Sequence, residues 1–235
     1  MQSKLLTMIN LLSNLKIAVP DKIYIKDPES SDLGKRIIEH SIHLIDEIGF
    51  DSFTFKKLGL RISSNESSIY RYFESKHKLL LYLTSWYWAW IEYQLVFSTL
   101  NIPIPMDKML KAVEVVTKTI VQDNMFTHID EVVLNRIIIN EYSKSYLTKE
   151  VDQENKDGYF EVYKRLVKRI RDMIKEVDSD YKYPLSLAST IVEGSLHQHF
   201  LKSHFNSITD CGEDVSPTQF FSNLVLTVLK PKVNE

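Results

Sequence analysis

Ser67, Ser68 and Arg71 lie together between a polar turn and an aromatic run, and their side chains suit the edges of base pairs. A guanidinium can grip the O6 and N7 of guanine at once, and a hydroxyl can donate or accept. Slightly upstream, Thr54 and Lys56 fall at the start of a short amphipathic segment. There a hydroxyl, an ammonium and first-turn amides can meet one phosphate. Asn65, between the two groups, can cap a helix and stand on the same face.

These residues need two short helices to carry them. Phe55, Leu58 and Ile62 recur at spacings of three and four, which predicts a helix over 55–62 with Thr54 as its cap. Ser63, Ser64 and Asn65 interrupt it. A second helix is predicted over 66–73, with Ile69, Tyr72 and Phe73 inward. Two short helices around a tight turn form a helix-turn-helix, whose second helix can enter a major groove.

Residues 35–80 resemble the N-terminal domain of the TetR family of one-component transcriptional regulators. Gly49-Phe50 ends a helix, Thr54 caps the next, Tyr70-Arg71-Tyr72-Phe73 closes the recognition helix, and Ser75-Lys76 opens a long fourth helix. The resemblance spans about a fifth of the chain. It implies backbone or thymine-methyl contacts for Tyr70 and Tyr72, and a phosphate contact for Lys76. Three departures stand out. Ser63 occupies the turn position usually held by Gly, which implies a strained residue or a different turn. Gly59 stands inside a helix, where it costs about 0.5–1 kcal/mol relative to Ala. Glu66 replaces a frequent Lys.

Composition bounds the rest. A chain of 235 residues, 44% hydrophobic and 26% charged, with six Gly and seven Pro, reads as a globular protein of long helices and short loops. Its formal net charge of −2 excludes a basic nucleic-acid coat. Residues 31–80 hold eight Lys and Arg against seven Asp and Glu, and residues 81–235 hold 17 against 21. DNA affinity must therefore rest on a few placed cations. The single Cys211 excludes an internal disulfide and reads as an incidental thiol in a polar loop, consistent with a cytoplasmic protein. No apolar run reaches the ~20 residues of a membrane span.

The predicted fold class is all-α: a three-helix head with helix-turn-helix, then a helical bundle for ligand binding and dimerisation. Residues 1–30 form an N-terminal extension with a helix over 4–16 and an extended stretch at 22–26, packed on the chain or a partner. Residues 31–78 form the head and 79–235 the bundle. The head's first helix is expected over 32–48 and the fourth over 75–98. Bundle helices are expected near 106–124, 129–146, 152–177, 183–205 and 216–229. The basic run Lys164, Arg165, Lys168, Arg169 and Arg171 reads as a solvated face paired with Glu161 and Asp172.

By the resemblance, the bundle holds an internal pocket for an effector, which this composition makes small and hydrophobic or aromatic. Trp86, Trp90, Tyr93, Met109, Met125, His128, Tyr142 and Tyr163 are the candidate lining, although an aromatic stripe at helical spacing also suits a core. No cofactor and no metal is expected: His197 and His199 in one helix point to different faces, and only His204 shares a side with His197. No catalytic constellation of an enzyme is present. The sequence reads as a ligand-responsive regulator, more often a repressor, that binds a palindromic double-stranded operator as a homodimer. The dimer is expected through Leu185, Ala188, Val192 and Leu196 with Phe220, Phe221, Leu224 and Val228. The alternative is a relative impaired in DNA binding that works as a small-molecule or lipid-binding helical dimer.

Overall fold

The computed structural model describes residues 17–122 and 126–229. Eleven α-helices follow one another among them, and no strand interrupts the order. They are α1 (Asp32–Ser52), α2 (Phe55–Arg61), α3 (Glu66–Tyr70), α4 (Lys76–Thr99), α5 (Pro105–Thr117) and α6 (Glu131–Glu141). Then come α7 (Ser143–Tyr146), α8 (Val151–Lys156), α9 (Glu161–Val177), α10 (Pro184–His204) and α11 (Pro217–Val228). The fold is all-α, as the sequence predicts. The helix expected over 4–16 lies outside the described residues.

The head is assembled by its caps. Ser31 accepts from the Gly34 amide at the start of α1, Thr54 from Lys57 at α2, Asn65 from Ser68 at α3 and Ser75 from Lys78 at α4. Each bond satisfies a first-turn amide that has no partner within its helix. Ile37, Ile38, Leu58, Ile62, Ile69 and Phe73 then close a core in which none exceeds 2% exposure. Burying each such side chain stabilises the fold by roughly 1.5–3 kcal/mol.

The turn between α2 and α3 resolves two of the departures noted above. Ser64 N–H donates to the Gly59 carbonyl at 2.9 Å and Ser63 N–H to the Leu60 carbonyl at 3.3 Å. With Ser63 at φ 51°, this is a Schellman motif with serine in the left-handed position. Ser63 is therefore the strained residue, not a sign of a different turn. Gly59 is not a simple cost either. A Cβ there would sit 2.7 Å from the Ser64 carbonyl oxygen, so the turn folds back onto the space that glycine leaves.

Several boundaries differ from expectation. Gly49, at φ 76°, breaks the helical path of α1 before Phe50. The recognition helix α3 stops at Tyr70, because Tyr72 and Phe73 turn inward as core. The stretch 129–146 divides into α6 and α7, and 152–177 divides at Gly158, φ 89°, into α8 and α9. The helix expected over 106–124 ends at Thr117, where Lys118 is already extended. Within the extension, Asp21–Ile23 is a 3-10 turn rather than part of an extended stretch. Ile23 is buried, Ile25 N–H donates to the Tyr72 carbonyl at 2.8 Å, and Tyr24 packs edge-on to Tyr82, so the described part of the extension around residues 23–25 lies on its own chain.

In the bundle, α4 runs through the middle and is buried along most of its length. Its Glu92, only 6% exposed, receives Arg165 Nε and Nη2 at 2.6–2.9 Å and Arg169 Nε at 2.5 Å. The basic run on α9 is thus only partly a solvated face. Lys164 pairs with Glu161 and Arg171 with Asp172, but Arg165 and Arg169 clamp α9 to α4. At the rear, α11 seats against α10 because Gly194 leaves room: a Cβ there would meet Phe221 Cζ at 2.8 Å. Cys211 is buried rather than incidental in an open loop.

Candidate nucleic-acid interface and ligand cavity

The head presents one polar face. Thr54, Lys56, Asn65, Ser67, Tyr70 and Arg71 are exposed, and Ser68 is half-buried. Asn65 Oδ1 gathers three donors: the Ser68 amide at 2.8 Å, Ser67 Oγ at 2.8 Å and Ser68 Oγ at 2.6 Å. The two hydroxyls are thereby held at the start of α3, where a groove would meet them. Arg71 follows directly after the last helical residue, so its side chain projects from the end of α3. Tyr70 stacks edge-on against Phe55, 5.0 Å between centroids, which fixes its ring while leaving it 47% exposed.

Two candidates are placed otherwise. Tyr72 is 4% exposed, and its hydroxyl pairs with Ser31 Oγ at 2.7 Å. It is a core residue that joins the recognition segment to the first turn of α1, so a DNA contact from its ring is corrected. Lys76 Nζ donates to the carbonyls of Phe50 and Asp51, each at 3.0 Å, and of Phe53 at 3.2 Å. An ammonium has three protons, and all three are committed to the carbonyls around the Gly49 break. This geometry favours a clamp on the end of α1 over a phosphate contact. Arg61 is likewise engaged, with Nη1 and Nη2 on Glu47 at 2.5 and 2.7 Å. Hydrogen bonding to Arg61 holds the Glu47 carboxyl below its ordinary pKa.

The bundle contains a cavity of about 240 Å³. Its walls include Trp88 and Thr84 of α4, Tyr142 beside α6, Tyr146 of α7, Tyr163 of α9 and Glu193 of α10. Of the predicted lining residues, Tyr142 and Tyr163 are here. Trp86 and Trp90 are not: both are 1% exposed and stack on each other in the core, 6.2 Å between centroids. Met109 is also core, Tyr93 stacks on Phe97, and Met125 lies outside the described residues. His128 Nε2 instead meets Glu29 Oε1 at 2.7 Å, tying the bundle to the turn before α1.

Trp88, Tyr146, Tyr159, Phe160 and Glu193 line the cavity and were not anticipated. A signal for two of them existed in Gly158. A glycine inside an otherwise continuous helical pattern marks the break that swings Tyr159, Phe160 and Tyr163 around the space. The cavity's polar groups are few. Tyr163 donates to Glu193 Oε1, and Thr84 Oγ1 pairs with Ser145 Oγ at 2.9 Å. Burial, then the Glu193 hydrogen bond and charge, raises the pKa of Tyr163. Burial also raises that of Tyr146, with a bond to Tyr142 and the Glu193 charge adding to it. Both phenols stay protonated donors.

Cavity and head meet at one segment. Glu141 accepts from the Phe50 amide at 3.1 Å, and Lys144 bridges Asp51 and Glu141, each at 2.8 Å. One turn earlier, Arg136 grips Asp46 at 2.7 and 3.0 Å. Between and beside these residues, Tyr142, Ser145 and Tyr146 line the cavity. The histidines of α10 hold no shared site. His199 Nε2 lies 2.9 Å from the Thr117 carbonyl, and burial lowers its pKa, whereas His197 is exposed and stacks on Phe200.

A capped helix-turn-helix is an arrangement whose second helix can enter a major groove of DNA. Residues 37–83 match the model of the bacterial regulatory proteins of the tetR family. The match covers the head and the first residues of α4, and in that segment the chain is similar to the TetR family of regulators. Solved structures share its fold at low identity. The fatty acid degradation regulator FadR from Bacillus halodurans is 14% identical with a TM-score of 0.60, over 85% of this chain and 96% of that one. AibR in complex with isovaleryl coenzyme A and operator DNA is 14% identical with a TM-score of 0.56, over 84% and 100%. The superantigen PfiT is 17% identical with a TM-score of 0.56, over 88% and 100%. No curated protein matches the chain in sequence. No helix among the described residues is long and apolar enough to cross a membrane.

Proposed function

We propose that the chain is a ligand-responsive regulator, a repressor, that binds a palindromic operator as a homodimer and releases it when an effector enters the bundle cavity. One observation carries this reading: the segment from Glu141 to Tyr146 lines the cavity on one side and holds the α1 end of the head on the other. A ligand that displaces Tyr142 or Tyr146 moves the residues that position the head. The effector acts only through its preference for the geometry that no longer fits both grooves. AibR, of the same fold, was crystallised with both isovaleryl coenzyme A and operator DNA, so a fold of this kind can hold a small molecule and an operator.

The dimer surface is proposed at the rear, on α10 and α11. Leu185, Phe220 and Leu226 are 43–51% exposed there, which suits an apolar face awaiting a second copy. Leu185 and Phe220 belong to the set expected from the sequence, and Leu226 is added to it. Ala188, Val192, Leu196 and Phe221 are buried within their own chain, because they are what seals α10 and α11 onto the bundle.

Retention of α3–DNA binding by the purified chain, measured by fluorescence anisotropy on selected DNA with and without cavity ligands, tests the proposal. Sequence-specific binding that weakens with ligand supports it; binding indifferent to every ligand that fills the cavity contradicts it. A second reading has one specific support. With Arg61 and Lys76 engaged inside the head, the cations left outward on this face are few, chiefly Lys56 and Arg71, and Glu66 adds a negative charge. A helical dimer that binds small molecules or lipids without reading DNA would then show no sequence selection even at low salt.

A further inference from the structure

We infer that the bundle cavity takes an organic cation with an apolar or aromatic body, with Glu193 as its counter-charge. The inference rests on the reading of this cavity as the effector site and names the chemistry of the effector. Trp88, Tyr142, Tyr146, Phe160 and Tyr163 surround the space from four different helical segments. Aromatic faces attract a desolvated cation through their quadrupoles, most strongly for tryptophan and tyrosine, and a cage of such rings suits quaternary ammonium groups. The lining already shows the preference once, since Lys78 Nζ sits 3.7 Å from the centre of the Tyr159 ring.

The charges facing the space point the same way. Glu193 is the acidic side chain of the lining, and its Oε1 receives the Tyr163 hydroxyl. Lys164 is the basic one, but its ammonium is paired with Glu161 Oε1 at 3.0 Å, so its charge is compensated outside the cage. An anionic ligand would meet the Glu193 charge without a cation of its own. A neutral one would fill the apolar volume but leave the Glu193 charge with only the neutral Tyr163 hydroxyl beside it and no counter-charge. A cation satisfies both features of the wall.

Three probes of one shape test this on the full-length protein: phenyltrimethylammonium, its neutral carbon isostere tert-butylbenzene, and the anion para-tert-butylbenzoate. Quenching of tryptophan fluorescence, with Trp88 in the wall, reads binding. The cation should bind at least about tenfold more tightly than the neutral isostere, and the anion weakest. Glu193→Gln, which keeps an acceptor for Tyr163, should bring cation and neutral probe to within about threefold while leaving the neutral probe unchanged. The parent protein alone decides the matter should that variant fold poorly. Equal affinity for cation and neutral isostere, tighter binding of the anion, or no binding of any probe at millimolar concentration overturns the inference. Operator binding measured in parallel separates the two readings. A cation preference with unchanged DNA affinity keeps the ligand assignment and removes the sensing role. Release of DNA by the anion instead keeps sensing and removes the cation.

Discussion

Oε1 of Glu141, in the bundle, accepts the backbone amide of Phe50, in the head, at 3.1 Å. Gly49 leaves the helical path one residue earlier, at φ 76° and ψ 154°. Head and bundle are therefore joined by a hydrogen bond beside a backbone break. Lys76 closes the same break from the other side through three carbonyls.

Removing the acceptor tests the joint. Glu141→Ala leaves a half-buried amide unpaired and loses one arm of the Lys144 bridge, a cost of about 1–3 kcal/mol. Amide hydrogen exchange at Phe50 should accelerate in the variant, while exchange in the bundle core around Leu166 and Ile170 stays slow. Unchanged protection at Phe50 would show that the bond does not hold the joint.

Lys56, Arg71 and Lys76 should separate by their DNA behaviour. Lys56→Ala should weaken binding evenly across sequences and reduce the magnitude of the salt slope by about one. Arg71→Ala should relax sequence discrimination, with a loss of about 1–3 kcal/mol at one base position. Lys76→Ala should leave the slope near the parent's and instead lower the urea midpoint, because its protons serve backbone carbonyls. A salt slope flattened by Lys76→Ala would return it to the phosphate contacts.

The turn between α2 and α3 makes opposite predictions for two small residues. Ser63→Gly relieves a left-handed serine and should stabilise the protein by about 0.5–1 kcal/mol, the strain relieved being partly offset by the greater freedom of glycine in the unfolded chain. Gly59→Ala, favourable by helix propensity alone, should destabilise by about 1 kcal/mol or more, since the new methyl meets the Ser64 carbonyl. Chemical denaturation of both variants settles the signs. A stabilising Gly59→Ala would mean that the turn can relax away from α2.

Glu92 and its two arginines should behave asymmetrically. Replacing Arg165 and Arg169 together leaves a buried carboxylate unpaired, about 3 kcal/mol or more; Glu92→Gln frees two arginines that reach solvent and should cost less. Burial raises the pKa of Glu92, but the hydrogen bonds and charges of Arg165 and Arg169 outweigh it, so the pKa lies below the ordinary 4.5. The folded state thus holds the proton less tightly than the unfolded one. The clamp's contribution is complete above pH 4.5 and fades as pH falls through the lower folded value. Urea midpoints between pH 6 and pH 3 should drop more steeply for the parent than for Glu92→Gln. Parallel curves for the two would refute the clamp.

How much of this was legible in the sequence depended on the range of the signal. Thr54 and Asn65 announce helix starts through bonds to amides three residues away, and each is found at its cap. The exposed polar face at Ser67 and Arg71 follows from the same local periodicity. Side chains whose partners are distant in sequence were less readable. Tyr72 and Ser31 lie 41 residues apart, Lys76 and the carbonyls it holds about 25, Glu92 and Arg165 73. Part of the cavity lining was misassigned within one helix. Trp86, Trp88 and Trp90 alternate around α4, and only the packing of α9 decides that Trp88 faces the space. The break at Gly158 was visible, but its consequence required the neighbouring helices.

The most direct test of the account is selection of bound duplexes from a random pool by the purified chain at low salt, with the mass of the complex measured alongside. Enrichment of an inverted repeat with half-sites about one helical turn or a small multiple apart, bound by two copies, is the predicted result. A pool that stays random, or a single copy bound to an asymmetric site, would contradict it.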